Sequence, residues 1–371
     1  MNKLSLASSK ERDMFYVVGV EIPDSFFYLE KDGKGYVFLD KREIGVFEKN
    51  NKNPEIKAVP LEPYIEKAKK QKSKKASLKA KIAGMILDDF EIKDKVYVPD
   101  YFSVEVYEYL KSLDFKLKVL GDFFPERRKK NSDEIKLLKK ALKKTQFAFK
   151  RIEKILKEAE IKGDKIYFNN EILTSELLKK EAEKELLEQD MIDLEGMIIS
   201  SGEQGSRPHD RGSGEIIPHT PIIVDIFPKD RASGYFADMT RTYLKGEAPN
   251  KIIQMYNAVK EVQENAIRNI KAGVKAFDVY KECFNIFEKY GFKTEEEGFV
   301  TGLGHGLGVD VHEQPFVNSF SDAILSEGDV ITVEPGLYYS ELGGSRIEDV
   351  VVVTKDGCKN LTNYPKSLVI E

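Results

Sequence analysis

Apolar residues recur at steps of three and four positions in several segments after residue 130, a pattern that predicts amphipathic helices. These segments are residues 132–160, 175–189, 251–272 and 276–290. In the first of them, Ser132 is placed to act as the N-cap, and an apolar stripe extends from Ile135 to Leu156. Short apolar runs typical of strands follow each helix pair. We therefore expect a duplicated α+β unit, with one copy around residues 133–245 and the other around residues 251–355.

From Met14 to about Phe124, short β-rich runs alternate with helical segments. The runs FYVVGV, FFYLE, KGYVFLD and KVYVPD predict strands, and a helix is expected at residues 103–113. Interleaved strands and helices favour an α/β layer of its own. The stretch FPERRKKNS, residues 124–132, has the proline and the charge density of a linker. We predict two domains, residues 1–128 and residues 129–371.

Charge is evenly balanced along the chain as a whole, with 59 basic against 63 acidic residues. This balance argues against nucleic acid or an anionic membrane as a partner. The most basic stretch, residues 67–81, lacks interleaved aromatic residues and is followed by LDDFEIKD, so it is interpreted as a solvated helix face. Cys283 and Cys358 form no CxxC motif, and the N-terminus lacks the apolar core of a signal peptide. A cytoplasmic protein is expected.

Residues 302–315, GLGHGLGVDVHEQP, combine glycines with two of the four histidines of the chain, His305 and His312. Glycine has no side chain to bury and costs backbone entropy, so a run of four indicates that the backbone must approach something closely. Two histidines in such a run favour a functional site over two separate structural residues.

Carboxylates follow apolar runs in two predicted hairpins. PIIVDIF and YFADMTRTY carry Asp225 and Asp238, while DVITVEPGLYY and GGSRIEDVVVV carry Glu334 and Glu348. A single strand carboxylate usually faces solvent, but four at matched positions suggest a shared buried site. Burying four unpaired carboxylates is prohibitive, whereas one or two divalent metal ions would compensate them. Oxygen ligands with one imidazole suit Mn, Co, Fe or Zn.

These segments, in this order, resemble the signatures of peptidase family M24, the creatinase/prolidase/methionine aminopeptidase superfamily. The resemblance implies an α+β, pita-bread catalytic domain preceded by a smaller α/β N-terminal domain. Such an N-terminal domain is similar to that of Xaa-Pro dipeptidases and Xaa-Pro aminopeptidases, and simple methionine aminopeptidases lack it.

The resemblance also implies a ligand set for two divalent metal ions. By this comparison Asp225 would chelate one ion, His305 and Glu334 would chelate the other, and Asp238 and Glu348 would bridge them. Glu334 would in addition accept a proton from a hydroxide that bridges the two ions.

Substrate contacts are implied for three further residues. His312 would contact the scissile amide and assist the tetrahedral intermediate or the leaving nitrogen. His209, in SRPHDRGSG, occupies the place of a further substrate-contacting histidine, and Arg346 matches an arginine linked to proline-directed members. His219 has no counterpart and is interpreted as structural.

The function so implied is hydrolysis of Xaa-Pro bonds at the N-terminus of dipeptides or short peptides by a dinuclear metal centre. The alternatives are another hydrolase or lyase of this superfamily, a methionine aminopeptidase-like activity, and a non-catalytic binding protein on the same fold. The expected partner is a small peptide substrate, and the family suggests a homodimer.

Overall fold

The computed structural model describes residues 1–51, 53–71, 76–294 and 296–371. Over these ranges the chain forms two compact units, Met1–Pro125 and Glu126–Glu371. None of the described helices is long and apolar enough to cross a membrane. The predicted division after residue 128 stays a prediction.

In the first unit, the described residues form a six-stranded mixed sheet with the strand order β4-β3-β2-β1-β5-β6. Its elements are β1 Asn2–Ala7, α1 Arg12–Val18, β2 Phe26–Lys31, β3 Lys34–Leu39, α2 Lys41–Asn50, β4 Ile56–Pro60, α3 Glu62–Lys70, α4 Leu78–Asp89, β5 Val96–Pro99, α5 Val104–Ser112 and β6 Leu117–Leu120. One apolar layer includes Leu29 and Ile86, and a separate one includes Met14 and Val37. This alternation of strands and helices was predicted.

Two local predictions in this unit are wrong, the strand at FYVVGV and the single helix at residues 67–81. The run FYVVGV lies in helix α1 and not in a strand, because Phe15, Val17 and Val18 are buried on that helix, which ends at Gly19 in the left-handed conformation. The first strand is instead β1, whose Leu4 and Leu6 are buried.

The basic stretch is not one helix. Its described lysines lie at the end of α3 and the start of α4; all but the half-buried Lys81 are exposed, and residues 72–75 lie outside the described residues.

The helices of the second unit begin and end close to the predicted positions. After a 3₁₀ helix, Pro125–Arg128, they are α6 Ser132–Glu158, α7 Ser175–Glu188, α8 Asn250–Asn269 and α9 Ala276–Lys289. The predicted N-cap Ser132 is wrong by one residue. Asn131 caps α6, because its side chain accepts the Asp133 and Glu134 amides while the Glu134 carboxylate accepts the Asn131 amide.

The strands of the second unit form two larger antiparallel-dominated sheets with smaller ones beside them. The strands are β7 Glu160–Lys162, β8 Lys165–Phe168, β9 Glu171–Ile172, β10 Met191–Ile192, β11 Ile198–Ser201, β12 Ile222–Ile226, β13 Lys229–Asp230, β14 Met239–Lys245, β15 Gly304–Gly306, β16 Glu313–Val317, β17 Val330–Val333, β18 Gly336–Tyr339, β19 Gly343–Arg346, β20 Asp349–Val353, β21 Cys358–Asn360 and β22 Val369–Ile370. The larger sheets have the orders β11-β12-β14-β22 and β16-β15-β17-β20-β21. Each of them follows a helix pair along the chain, as predicted.

Helices α8 and α9 pack on the sheet that contains β17 and β20. Val259 and Phe287 on the helices and Ile331 and Val351 on the strands belong to one buried apolar cluster. Burial of this apolar surface, at roughly 25 cal/mol per Å², holds the strand ends that carry the polar site residues in a fixed place.

Candidate metal centre

The first pair of carboxylates comes from the hairpin of β12 and β14. Asp225 on β12 pairs with Thr240 on β14, and Asp238 lies one residue before β14 begins. Side chains two residues apart on a strand share a face, so this register turns both carboxylates toward one side. Both line the same cavity.

The second pair of carboxylates comes from the ends of β17 and β20. Val333 pairs with Asp349, so Glu334 and Glu348 leave the sheet at the same end. The Glu348 amide donates to the Thr240 carbonyl over 3.0 Å, and the Thr240 hydroxyl donates to Glu348 Oε2 over 2.8 Å. The two hairpins are therefore joined at the carboxylates themselves.

His305 lies on the short strand β15, where its glycine neighbours allow a close backbone approach. A Cβ at Gly304 would lie 2.1 Å from the Thr332 carbonyl oxygen, and one at Gly306 would lie 2.3 Å from the Gln314 carbonyl oxygen. His305 Nδ1 is 3.1 Å from the Gly306 carbonyl oxygen, which fixes the ring through that nitrogen. Its Nε2 consequently faces the acids, as in a metal-ligating histidine.

The donor atoms converge on a small volume. One donor atom from each of Asp238, His305 and Glu348 lies within 4.8 Å of the other two. His305 Nε2 is 3.1 Å from Glu334 Oε1. Asp225 Oδ1 and Glu348 Oε1 are buried and find no hydrogen-bond partner in the described part of the chain. Buried carboxylate oxygens without donors fit a hard divalent cation, so the residues present suit the metal that the sequence predicts.

The pKa shifts within the cluster also indicate that the site requires a cation. Burial, followed by the charge of Asp225, raises the pKa of Asp238 well above its usual value. Burial and then Asp238 raise the pKa of Glu348 well above its usual value. Burial acts to lower the pKa of His305, but the hydrogen bond and charge of Glu334 outweigh it and raise that pKa to about 9. Without a metal ion, the cluster therefore holds protons in place of a cation.

Arg346 is buried beside Asp225. Its Nη2 donates to Asp225 Oδ2 over 2.7 Å, and its Nη1 donates to the Tyr338 hydroxyl over 2.6 Å. One oxygen of Asp225 is thereby held by a guanidinium while Oδ1 stays without a donor. Arg346 thus fixes the orientation of a predicted ligand from the cavity wall.

The cavity above these residues has a volume of about 280 Å³, close to the lower end of ligand pockets. All eight predicted site residues line it: His209, Asp225, Asp238, His305, His312, Glu334, Arg346 and Glu348. Its apolar wall consists of Ile198, Pro208, Phe227, Val311, Phe316 and Tyr338. The cavity suits a short ligand with both a polar and an apolar part.

His312 extends into the cavity beside the cluster. Its ring centroid lies 4.3 Å from that of His305. Burial, followed by the charge of His305, lowers the pKa of His312, so the neutral imidazole is favoured at neutral pH. His219 lies apart from the cavity, where its Nδ1 accepts the Glu247 amide over 2.8 Å, as the structural interpretation of this residue requires.

Several residues of the site were not predicted from the sequence. Thr332 precedes Glu334 by two positions in the predicted strand run DVITVEP, and this spacing would have placed both side chains on the same face. Tyr338 and Thr301 gave no such signal, because their places on the cavity wall depend on contacts distant in sequence.

An acidic cavity with one imidazole among its donors is typical of metal-dependent hydrolases. Residues 136–355 match the model of metallopeptidase family M24. The Xaa-Pro dipeptidase of Pyrococcus horikoshii is 32% identical over 272 residues, which are 71% of this chain and 76% of that protein. The chain belongs to metallopeptidase family M24.

Solved structures show the same fold. The Xaa-Pro dipeptidase of Bacillus anthracis has a TM-score of 0.79 at 24% identity and aligns over 100% of this chain and 95% of its own. The X-Pro aminopeptidase of Thermotoga maritima has a TM-score of 0.78 at 23% identity, over 99% of this chain and 97% of its own. The predicted family, the pita-bread fold with its smaller N-terminal domain, and the class of metallo-exopeptidase are confirmed.

Proposed function

We propose that residues 129–371 form the catalytic domain of a dinuclear metallopeptidase that cleaves Xaa-Pro bonds at the N-terminus of dipeptides or short peptides. The observation that carries this proposal is the set of buried carboxylates and one imidazole at the floor of a small cavity. The names of the relatives, Xaa-Pro dipeptidase and X-Pro aminopeptidase, support proline as the residue after the cleaved bond.

Five side chains would hold the two divalent ions. Asp225 would bind one ion, His305 and Glu334 the other, and Asp238 and Glu348 would bridge them. Mn, Co, Fe and Zn all suit this mixture of oxygen and nitrogen donors. Bound ions would supply Lewis-acid activation of water and of the substrate carbonyl at neutral pH.

The remaining chemistry belongs to side chains around the cluster. In the metal-free protein, burial acts to raise the pKa of Glu334, but the hydrogen bond and the charge of His305 outweigh it and keep that pKa below the usual value. With ions bound, His305 Nε2 would be a ligand, and Glu334 would be the anion that accepts the proton of the attacking water. His312, neutral and exposed to the cavity, would donate a hydrogen bond to the scissile amide region.

The cavity wall accounts for the preference that we propose. Proline after the scissile bond gives a tertiary amide without an N–H group, so the protein needs no acceptor for that nitrogen. Phe227, Val311 and Phe316 offer apolar surface to a pyrrolidine ring. His209 and Arg346 line the same cavity and complete the substrate contacts that we propose.

A cytoplasmic location and a homodimer complete the proposal. The low cysteine content agrees with a cytoplasmic location, and the homodimer is suggested by the family alone.

A panel of peptides tests the substrate class. Metal-reconstituted protein is incubated with Xaa-Pro dipeptides, Xaa-Pro tripeptides and peptides that start with Met. We expect cleavage of the Xaa-Pro dipeptides alone or of both the Xaa-Pro dipeptides and the Xaa-Pro tripeptides. Cleavage of the Met peptides alone would overturn the proposal in favour of a methionine aminopeptidase-like activity, and cleavage of none would favour a different reaction or a binding protein.

A further inference from the structure

Glu313 is a buried acid that directly follows His312 in the chain. Only 7% of it is exposed, and it does not line the cavity. His312 lines the cavity, whereas the Glu313 side chain lies outside the cavity in the protein interior. A buried carboxylate is tolerated only when it is well paired, which makes its partners informative.

Both oxygens of Glu313 are paired. Lys130 Nζ donates to Oε2 over 2.8 Å, and the Lys130 side chain is only 1% exposed. Arg127 Nη2 donates to Oε1, which also accepts the Asp310 amide over 3.0 Å. Two cations from the segment that precedes helix α6 therefore meet one acid that lies 183 and 186 residues further along the chain.

These contacts fix the backbone that carries His312. Through the Asp310 amide, the Glu313 carboxylate closes the turn of residues 310–313. A Cβ at Gly308 would lie 2.5 Å from Glu313 Oε2, so glycine there lets the carboxylate pack against the loop. The loop is also tied to the hairpin of the first carboxylates, because the Phe236 amide donates to the Gly308 carbonyl over 2.8 Å.

We propose that Lys130 and Glu313 are positioning residues that hold His312 at its place in the cavity, with Arg127 as a supporting cation. The pair acts on turnover through the orientation of the imidazole and leaves the metal ligands in place. This inference rests on the role of His312 in the proposed function.

The same segment supplies a matched control. Arg128 forms a second, partly buried ion pair, with Nε and Nη2 donating to the buried Asp329 over 2.9 and 2.7 Å. Neither Arg128 nor Asp329 lines the cavity. Loss of this pair removes a comparable interaction between the same two regions of the chain without touching the turn that carries His312.

The test uses the full-length, metal-loaded protein and the variants Lys130→Met, Glu313→Gln, Arg128→Met and His312→Gln. For each, kcat and KM are measured on an Xaa-Pro dipeptide together with the metal content per chain. Imidazole ¹⁵N NMR follows the His312 ring, which the His312→Gln spectrum assigns. Arg127→Met serves as a milder variant, because the Arg127 side chain is 17% exposed.

We expect Lys130→Met and Glu313→Gln each to lower kcat by about 10- to 100-fold, with a smaller change in KM, because small displacements of a reacting group are costly in rate. The His312 signals should shift or broaden, the metal content should stay that of the unchanged protein, and the double variant should lose little more than either single one. Arg128→Met should keep its kcat and the His312 signals.

Two results separate the inference from the function on which it rests. If His312→Gln loses turnover while Lys130→Met, Glu313→Gln and Arg127→Met behave like Arg128→Met, the positioning role is wrong and the proposed function stands. If His312→Gln keeps full turnover, the role of His312 fails and the inference fails with it. Should Lys130→Met not fold, Arg127→Met gives the decision, with a smaller loss of kcat expected than for Lys130→Met.

Discussion

Thr332 donates a hydrogen bond from its hydroxyl to Glu334 Oε1 over 3.0 Å. The same hydroxyl oxygen accepts the His305 backbone amide over 3.0 Å. Thr332 is fully buried, so one hydroxyl orients a carboxylate and the backbone of an imidazole that belong to the same proposed metal position.

We predict that Thr332→Val weakens metal binding by about 10-fold or more, the range found when groups that orient metal ligands are removed. Valine keeps the shape of threonine but can neither accept from His305 nor donate to Glu334. Competition with a chelator of known affinity measures the effect. Thr332→Ser, which keeps the hydroxyl, is the control and should bind metal nearly as tightly as the unchanged protein; equal affinities for the Val and Ser variants would contradict the role of Thr332.

Metal binding should also depend on pH. In the metal-free protein, the pKa values of Asp238 and Glu348 are raised by burial and by neighbouring acids, and the pKa of His305 is raised to about 9. Metal ligands must lose their protons, so binding releases protons and the affinity rises with pH until His305 is deprotonated. The affinity falls as the pH drops below that range.

Calorimetry in two buffers of different ionisation enthalpy, at several values between about pH 6 and pH 8, measures this proton release. An affinity that does not change with pH, with the same heat in both buffers, would contradict the protonated state of the metal-free cluster.

The sequence predicts the parts of this site that local spacing determines. The stripe from Leu138 to Leu156 is buried on helix α6, and Asp225 and Glu334 lie on or directly after buried apolar strands, as their runs indicate. By contrast, FYVVGV is rich in β-branched and aromatic residues yet is helical, because the burial of Phe15 and Val18 outweighs the local preference.

Contacts between distant residues are the part that the sequence does not reveal. Lys130 and Glu313 are separated by 183 positions, and nothing in the run FPERRKKNS distinguishes its buried lysine from its exposed neighbour Lys129. The charge density of that run predicts a linker, whereas Arg127, Arg128 and Lys130 pair with acids of the second unit. Ion pairs between residues that are distant in sequence leave no periodic pattern along the chain, so the sequence alone does not predict them.

Arg241 is predicted to stabilise the second unit from behind the metal centre. It is 1% exposed, donates to Asp349 over 2.8 Å, and also donates to the Glu348, Tyr364 and Pro365 carbonyls. Arg241→Met should lower the free energy of unfolding by about 3–5 kcal/mol, because it leaves buried carbonyl acceptors without a donor and removes the more deeply buried of the two cations that pair with Asp349.

Urea unfolding of the metal-free protein measures this loss. Lys366→Met is the matched control, since Lys366 pairs with the same Asp349 over 2.7 Å but its side chain is 17% exposed, and it should lose clearly less stability. Equal losses for the two variants would contradict the importance that we give to burial of Arg241.

We propose that two metal ions, held by the five proposed ligands, perform the hydrolysis. The rate of Xaa-Pro dipeptide hydrolysis by chelator-stripped protein is measured as metal is added back, and bound metal is counted at each step. We predict no activity without metal, a rise that saturates at two ions per chain, and neither retention of both ions nor activity in Asp238→Ala. Full activity of the stripped protein, or of Asp238→Ala, would contradict the claim.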